Sequence, residues 1–123
     1  MEITSTDLSF IRGFLLSHRF SVVATVTAEG DPECAKVEYF LLEGGLDLVF
    51  RTQRDSRKYQ NIIHHPTVAL EIGDLDTDTV QFEGVAEEFL GVFSKRDSVA
   101  IASRSRKSRV IYDEDDIVYF VVR

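Results

Sequence analysis

The chain has 123 residues, 44% of them apolar, and carries 14 basic against 21 acidic residues, a net charge of -7. That length predicts one domain over residues 1–123, and the acidic balance excludes a general nucleic-acid binder, which needs a basic face to displace counterions. No apolar run approaches membrane-spanning length, residues 1–20 lack the apolar stretch of a secretory leader, and the single cysteine, Cys34, excludes an internal disulfide, so the expected location is the cytoplasm.

Residues 5–18 read as a helix, with Ser5 or Thr6 able to cap it and Leu8, Ile11, Phe14 and Leu15 at helical spacing. Residues 19–28 read as a strand whose Phe20, Val22, Ala24 and Val26 point one way. Glu29-Gly30-Asp31-Pro32 is turn chemistry. A second strand follows over 33–42, with Val37, Tyr39 and Leu41 on one face and Cys34, Lys36, Glu38 and Phe40 on the other. After Glu43-Gly44-Gly45 comes a third strand, 46–52, then a short helix, 56–64, stopped by Pro66. Residues 67–72 read as a fourth strand, 73–78 as an Asp-rich loop, and 79–89 as a long fifth strand bent at Gly84. Residues 90–102 read as a helix, 103–109 as a polar basic segment, and 117–122 as a last strand rich in β-branched and aromatic residues. Strands joined by tight turns predict a mainly β, α+β chain: a six-stranded antiparallel barrel. A βαβ sheet would need a helix at each crossover.

The cations are unevenly placed. Arg51, Arg54, Arg57 and Lys58 fall in eight positions, and none occurs over 59–94. Thr52 and Ser56 lie among them. A strand that turns into a helix through hydroxyls and cations is suited to a phosphate group. The helix N-terminus offers unpaired N–H groups and the positive end of a dipole, and Arg and Lys add charge-assisted hydrogen bonds.

The order helix, strand, turn, strand, turn, strand, Thr52-x-x-x-Ser56-Arg57-Lys58, short helix, Pro66 resembles the FMN-binding split barrels of the pyridoxamine 5'-phosphate oxidase-like superfamily. Gly30-Asp31-Pro32 between the first two strands, Lys36 fifteen positions before Arg51, His65-Pro66 with the Val-Ala-Leu strand after it, and Gly84 carry the resemblance further. It implies FMN as cofactor, with Arg57 and Lys58 gripping the phosphate, Lys36 near it and Ser56 donating a hydroxyl. Arg51 and Thr52 would line the cofactor, and Lys36, Val37, Glu38, Tyr39 and Phe40 would run along the isoalloxazine ring. Thr79, and Gln81 on the same strand face, would meet the flavin from the fifth strand. It also implies a homodimer with the cofactor at the subunit interface. The oxidase itself has a substrate-contacting lysine where Leu41 stands here, and a longer C-terminal region. Pyridoxamine phosphate is therefore not implied as substrate.

Plainer readings stand beside these. Arg54 fits a solvated helix start, and Asp55 fits an N-cap. Lys36 on a strand reads as a solvent-facing residue; placed opposite Arg51 it becomes a second phosphate or ring contact. Cys34 reads as a small packed residue, and His64 and His65 as helix-end residues. The three histidines lack metal-like spacing, and the acidic runs 74–78 and 113–116 lack the glycine and terminal glutamate of a calcium loop. The expected function is an FMN-dependent oxidoreductase acting on an unidentified small molecule. The alternatives are a flavin carrier or sensor without turnover, or a barrel that uses haem or the deazaflavin F420, as relatives of this fold do.

Overall fold

A computed structural model describes residues 5–74, 76, 78–98, 101 and 116–123. Its elements are α1 (Ser5–Leu16), β1 (Phe20–Val26), β2 (Pro32–Leu41), β3 (Leu48–Gln53), α2 (Arg57–His64), β4 (Thr67–Gly73), β5 (Thr79–Glu88) and β6 (Ile117–Val122). The strands close into the six-stranded antiparallel barrel that the sequence predicts, in the order β1-β2-β3-β6-β5-β4. Among the described residues no helix is long and apolar enough to cross a membrane.

Two strands change partners along their length, and this divides the barrel into two sheets. β2 pairs with β1 from Pro32 to Glu38, then with β3 from Tyr39 to Leu41. β5 pairs with β4 from Thr79 to Val85, then with β6 from Ala86 to Glu88. Gly84 sits just before the second switch. A Cβ there would stand 2.6 Å from the Arg123 carbonyl oxygen and 2.9 Å from Val122 Cγ1. The backbone of β6 approaches this closely because the glycine has no side chain. Gly73 ends β4 at φ +121°, in the left-handed region glycine tolerates, with the Asp78 carbonyl where a Cβ would be.

The barrel interior is filled by Val23, Val37, Tyr39, Leu41, Leu48, Phe50, Leu70, Ile72, Phe120 and Val122, with Leu15 of α1 and Ile62 of α2 packed against it. On β1 the inward residues are Ser21, Val23 and Thr25, so the Phe20, Val22 and Ala24 face points out. The two inward hydroxyls are satisfied. Ser21 Oγ donates to the Glu71 carbonyl at 3.0 Å, and Thr25 Oγ1 accepts from Asn61 Nδ2 at 3.0 Å. A second cluster of Phe40, Val49, Ile101 and Val121 lies on the other face of β2, β3 and β6, under Phe89, Phe93 and Tyr119. Those strands are covered on both faces, which explains their unbroken apolar runs.

The predicted helix over 90–102 begins later: residues 90–94 are not helical, whereas 95–98 and 101 are, and at its start Ser94 Oγ accepts from the Asp97 N–H at 3.1 Å. Phe93 is held before the helix, stacked on Phe89 at 4.2 Å and edge-on to Tyr119 at 5.4 Å. The basic segment 103–109 and the acidic residues 113–115 lie outside the described residues.

Gly84→Ala should destabilise the protein by ~1–3 kcal/mol, because backbone rather than a flexible side chain must yield. Urea denaturation of the variant against the parent measures this.

Candidate functional site

The β2–β3 ladder runs only from Leu41↔Leu48 to Tyr39↔Phe50. Beyond it β2 stays with β1, where Lys36 faces Val22, while Arg51, Thr52 and Gln53 stay with β6. The opening between the diverging strands is a cavity of about 240 Å³. It is lined by Lys36, Val37, Glu38, Arg51, Thr52, Gln53, Ser56, Lys58 and Ile117. Lys36 is therefore not directly opposite Arg51. Continuing the register would set Glu38 there instead. Both cations still reach one cavity because the strands part.

The β3–α2 junction supplies the other wall. Ser56, not Asp55, is the N-cap of α2: its Oγ accepts from the Tyr59 N–H at 3.2 Å. Asp55 is one residue too early for that bond. Thr52 Oγ1 and Ser56 Oγ lie 2.8 Å apart. One hydroxyl proton of the pair serves their mutual bond, and the other remains to donate to an anion.

Local partners sort the cations of residues 51–58. Arg51 and Lys58 line the cavity. Arg54 turns to Tyr59 Oη at 3.2 Å and Glu88 at 3.4 Å. Arg57, between two cavity-lining residues, turns the other way and donates to Glu33 Oε2 at 2.8 Å. Glu33 Oε1 accepts from Asn61 Nδ2 at 2.8 Å. The Asn61 hydrogen bond, and after it the Arg57 one, hold the Glu33 carboxyl below its ordinary pKa of 4.5. Among the described residues no ion pair engages Lys36 or Lys58. Among the described residues one carboxylate lies in the cavity wall, that of Glu38, and it is tied to Arg19 at 2.8 Å. The cavity thus presents net positive charge, two hydroxyls and a helix N-terminus, a donor set that fits a phosphate.

The remaining sequence-predicted residues lie elsewhere. Tyr39 is buried, its hydroxyl donating to the Leu15 carbonyl at the end of α1. The Phe40 side chain is in the second cluster. Thr79 and Gln81 are on the part of β5 that pairs with β4. Lys36↔Val22, Val22↔Glu71 and Glu71↔Gln81 form a single row across β2, β1, β4 and β5. Lys36 and Gln81 therefore end one row on the outer face, three strand spacings or about 14 Å apart. Residues that the sequence reading missed are Gln53 and Ile117, which complete the cavity wall, and Glu33 and Asn61. Strand pairing brings Ile117 beside Gln53 and Glu33 beside Thr25, and Asn61 reaches Glu33 from α2; Gln53 follows Thr52 but has neither the charge nor the hydroxyl that singles out its neighbours.

The sequence profile of the family described as pyridoxamine 5'-phosphate oxidase matches residues 9–118. The chain belongs to that family. Solved structures agree on the fold of this pyridoxamine 5'-phosphate oxidase family member. A haem binding protein from Mycobacterium smegmatis is 26% identical, with TM-score 0.69 over 91% of this chain and 48% of its own. The chain thus spans about half the length of that protein. An F420 reductase is 21% identical, with TM-score 0.69 over 91% of this chain and 90% of its own. A pyridoxamine 5'-phosphate oxidase-related, FMN binding protein from Nostoc punctiforme is 16% identical, with TM-score 0.67 over 100% of this chain and 82% of its own. No curated protein matches the chain.

Two measurements test the local energetics of this family member. Ser56→Ala removes the cap of α2 and should cost ~1 kcal/mol in urea denaturation. Glu33 has a folded pKa below its unfolded value, so its contribution to stability is complete above pH 4.5 and is lost as pH falls through the lower folded value. The stability difference between the parent and Glu33→Gln should therefore be largest at neutral pH and shrink below pH 4.5.

Proposed function

We propose that the protein is a cytoplasmic FMN-binding flavoprotein, an oxidoreductase on a small molecule. The observation that carries this reading is the cavity itself. Where β2 leaves β3, Lys36 and Lys58 stand, without ion-pair partners among the described residues, beside Arg51 and the Thr52–Ser56 hydroxyl pair, at the start of α2. Lys58, Lys36 and the hydroxyl pair would hold the phosphate. Arg51 would line the cofactor's middle. The diverging backbone from Val37 to Phe40 would run along the ring. Bound there, the flavin supplies the redox chemistry, and the chain supplies binding, orientation and field.

A homodimer fits the same geometry. The cavity is smaller than the ~300–1,000 Å³ usual for a cofactor site and needs another wall. The outer face carrying the Lys36–Gln81 row exposes Phe20 (49%) and Val22 (39%). A two-fold axis in the plane of contact, crossing that row at its midpoint, would lay Gln81 and Thr79 of one copy over the Lys36 end of the other. Haem is a poorer fit, because none of His18, His64 and His65 lines the cavity. The phosphate donors alone do not separate FMN from F420. The resemblance of the Thr52–Lys58 run to the FMN-binding split barrels favours FMN.

Titration with FMN, followed by quenching of flavin fluorescence, tests the proposal. The parent should bind, and Lys36→Ala and Lys58→Ala should each weaken binding roughly 10- to 100-fold, the value of one charge-assisted phosphate contact. No binding by the parent, or unchanged affinity in both variants, would refute the reading.

A further inference from the structure

Arg57 is the position in the Ser56-Arg57-Lys58 run that the cavity does not use. Ser56 and Lys58 on either side both line it. Arg57 lines the adjoining depression with Thr25, Glu33, Cys34, Ala35, Lys58 and Asn61. Its guanidinium meets Glu33, and Asn61 steadies that carboxylate through the other oxygen. Asn61 is itself buried and bonded to Thr25, so the carboxylate has a fixed seat. Arg57 has none: its side chain is 86% exposed. Lys58 borders both the depression and the cavity. The two hollows therefore adjoin, and a long, exposed Arg57 side chain that turned from Glu33 past Lys58 would bring its charge toward the cavity.

We infer that Glu33 is a built-in competitor for the cofactor's phosphate: it holds Arg57 in reserve beside the cavity until a terminal phosphate group takes the guanidinium over. This rests on the phosphate-binding reading above. An incoming phosphomonoester carries close to two negative charges and three acceptor oxygens, whereas Glu33 carries one charge and offers Arg57 one oxygen. The phosphate therefore wins Arg57 from Glu33. A weaker monoanion does not, and a flavin without phosphate leaves the pair closed. Glu33 remains held by Asn61 when Arg57 departs, so the exchange leaves no buried charge unpaired.

The test compares FMN with riboflavin, which has the same ring and no phosphate, in the parent, Glu33→Gln, Arg57→Ala and the double variant. Glu33→Gln should tighten FMN about two- to fivefold, the range expected for removing an exposed ion pair as competitor, and leave riboflavin unchanged. Arg57→Ala should weaken FMN and not riboflavin. In the double variant the gain from Glu33→Gln should vanish. Equal or weaker FMN binding in Glu33→Gln would overturn the inference and make Glu33 a residue that merely positions Arg57. A gain that persists without Arg57, or that riboflavin shares, would overturn it too. If the parent binds FMN and Lys58→Ala weakens it while Glu33→Gln changes nothing, the phosphate site stands and only the competition falls. If the parent binds no FMN, both fall.

Discussion

The change of partner along β2 is the constraint on which the rest of the structure depends. A strand has two edges, and β2 uses them over different stretches: β1 claims one edge up to Glu38, and β3 claims the other from Tyr39 onward. The two sheets therefore part at that point, and the gap has to be lined by whatever residues flank the switch. Tyr39 fixes where it happens. Its ring is in the core, its N–H donates to the Arg19 carbonyl at 3.1 Å, and its hydroxyl holds the end of α1. A slip of β2 by one residue would turn Val37, Tyr39 and Leu41 out of the barrel, so the register, and with it the place of the cavity, is strongly specified. β5 makes the matching change at Val85–Ala86, where Gly84 lets the end of β6 come close. The site is thus a consequence of how the barrel closes, rather than an addition to it.

Charge is then distributed by local pairing. The chain has an excess of acid, and most of its described arginines are met by carboxylates at the surface. Exposed pairs of this kind contribute little to stability, about 0–1 kcal/mol each. Their effect here is on position: they decide which cations face the cavity. Arg54 and Arg57 are drawn off by Glu88 and Glu33, and the lysines are left. Sequence density of positive charge at 51–58 therefore overstates the charge in the cavity, and Lys36, distant in sequence, restores part of it.

Much of this was legible in the sequence, and the failures have physical causes. Strand existence and order followed from alternation and turn residues, and β6 was read at its observed bounds. The face of β1 was not, because its inward positions are Ser21, Val23 and Thr25, which alternate no more apolarly than Phe20, Val22 and Ala24 outside. Only the partners of the two hydroxyls make the polar face the buried one. The helix over 90–102 begins later than its pattern suggests, because Phe93 lies at helical spacing with Asp97, Ala100 and Ile101, yet its ring stacks on Phe89 across an irregular link before the helix starts. The phosphate-suited residues were found from local chemistry plus the order of elements. What could not be found was pairing at a distance, namely Lys36 with Val22 instead of Arg51, and Arg57 with Glu33. Nothing in a local window encodes those.

The same pairing argument bears on assembly. Within one barrel, Lys36 and Gln81 are fixed at opposite ends of a row, and no side-chain rotation closes a gap of about 14 Å across β1 and β4. If both positions were to meet the same group of one ligand, that ligand would have to lie between two copies, each giving a different end of the row. The centre of that row sets apolar, partly exposed Val22 beside the exposed carboxylate of Glu71, with Ala24 and Ala69 paired in the next row. A two-fold axis through the midpoint of the row would set Glu71 of one copy over Val22 of the other, so a close contact there would have to leave that carboxylate access to solvent or to a cation. The cavity would then be closed by the act of pairing, and affinity for the cofactor and affinity between copies would become linked quantities.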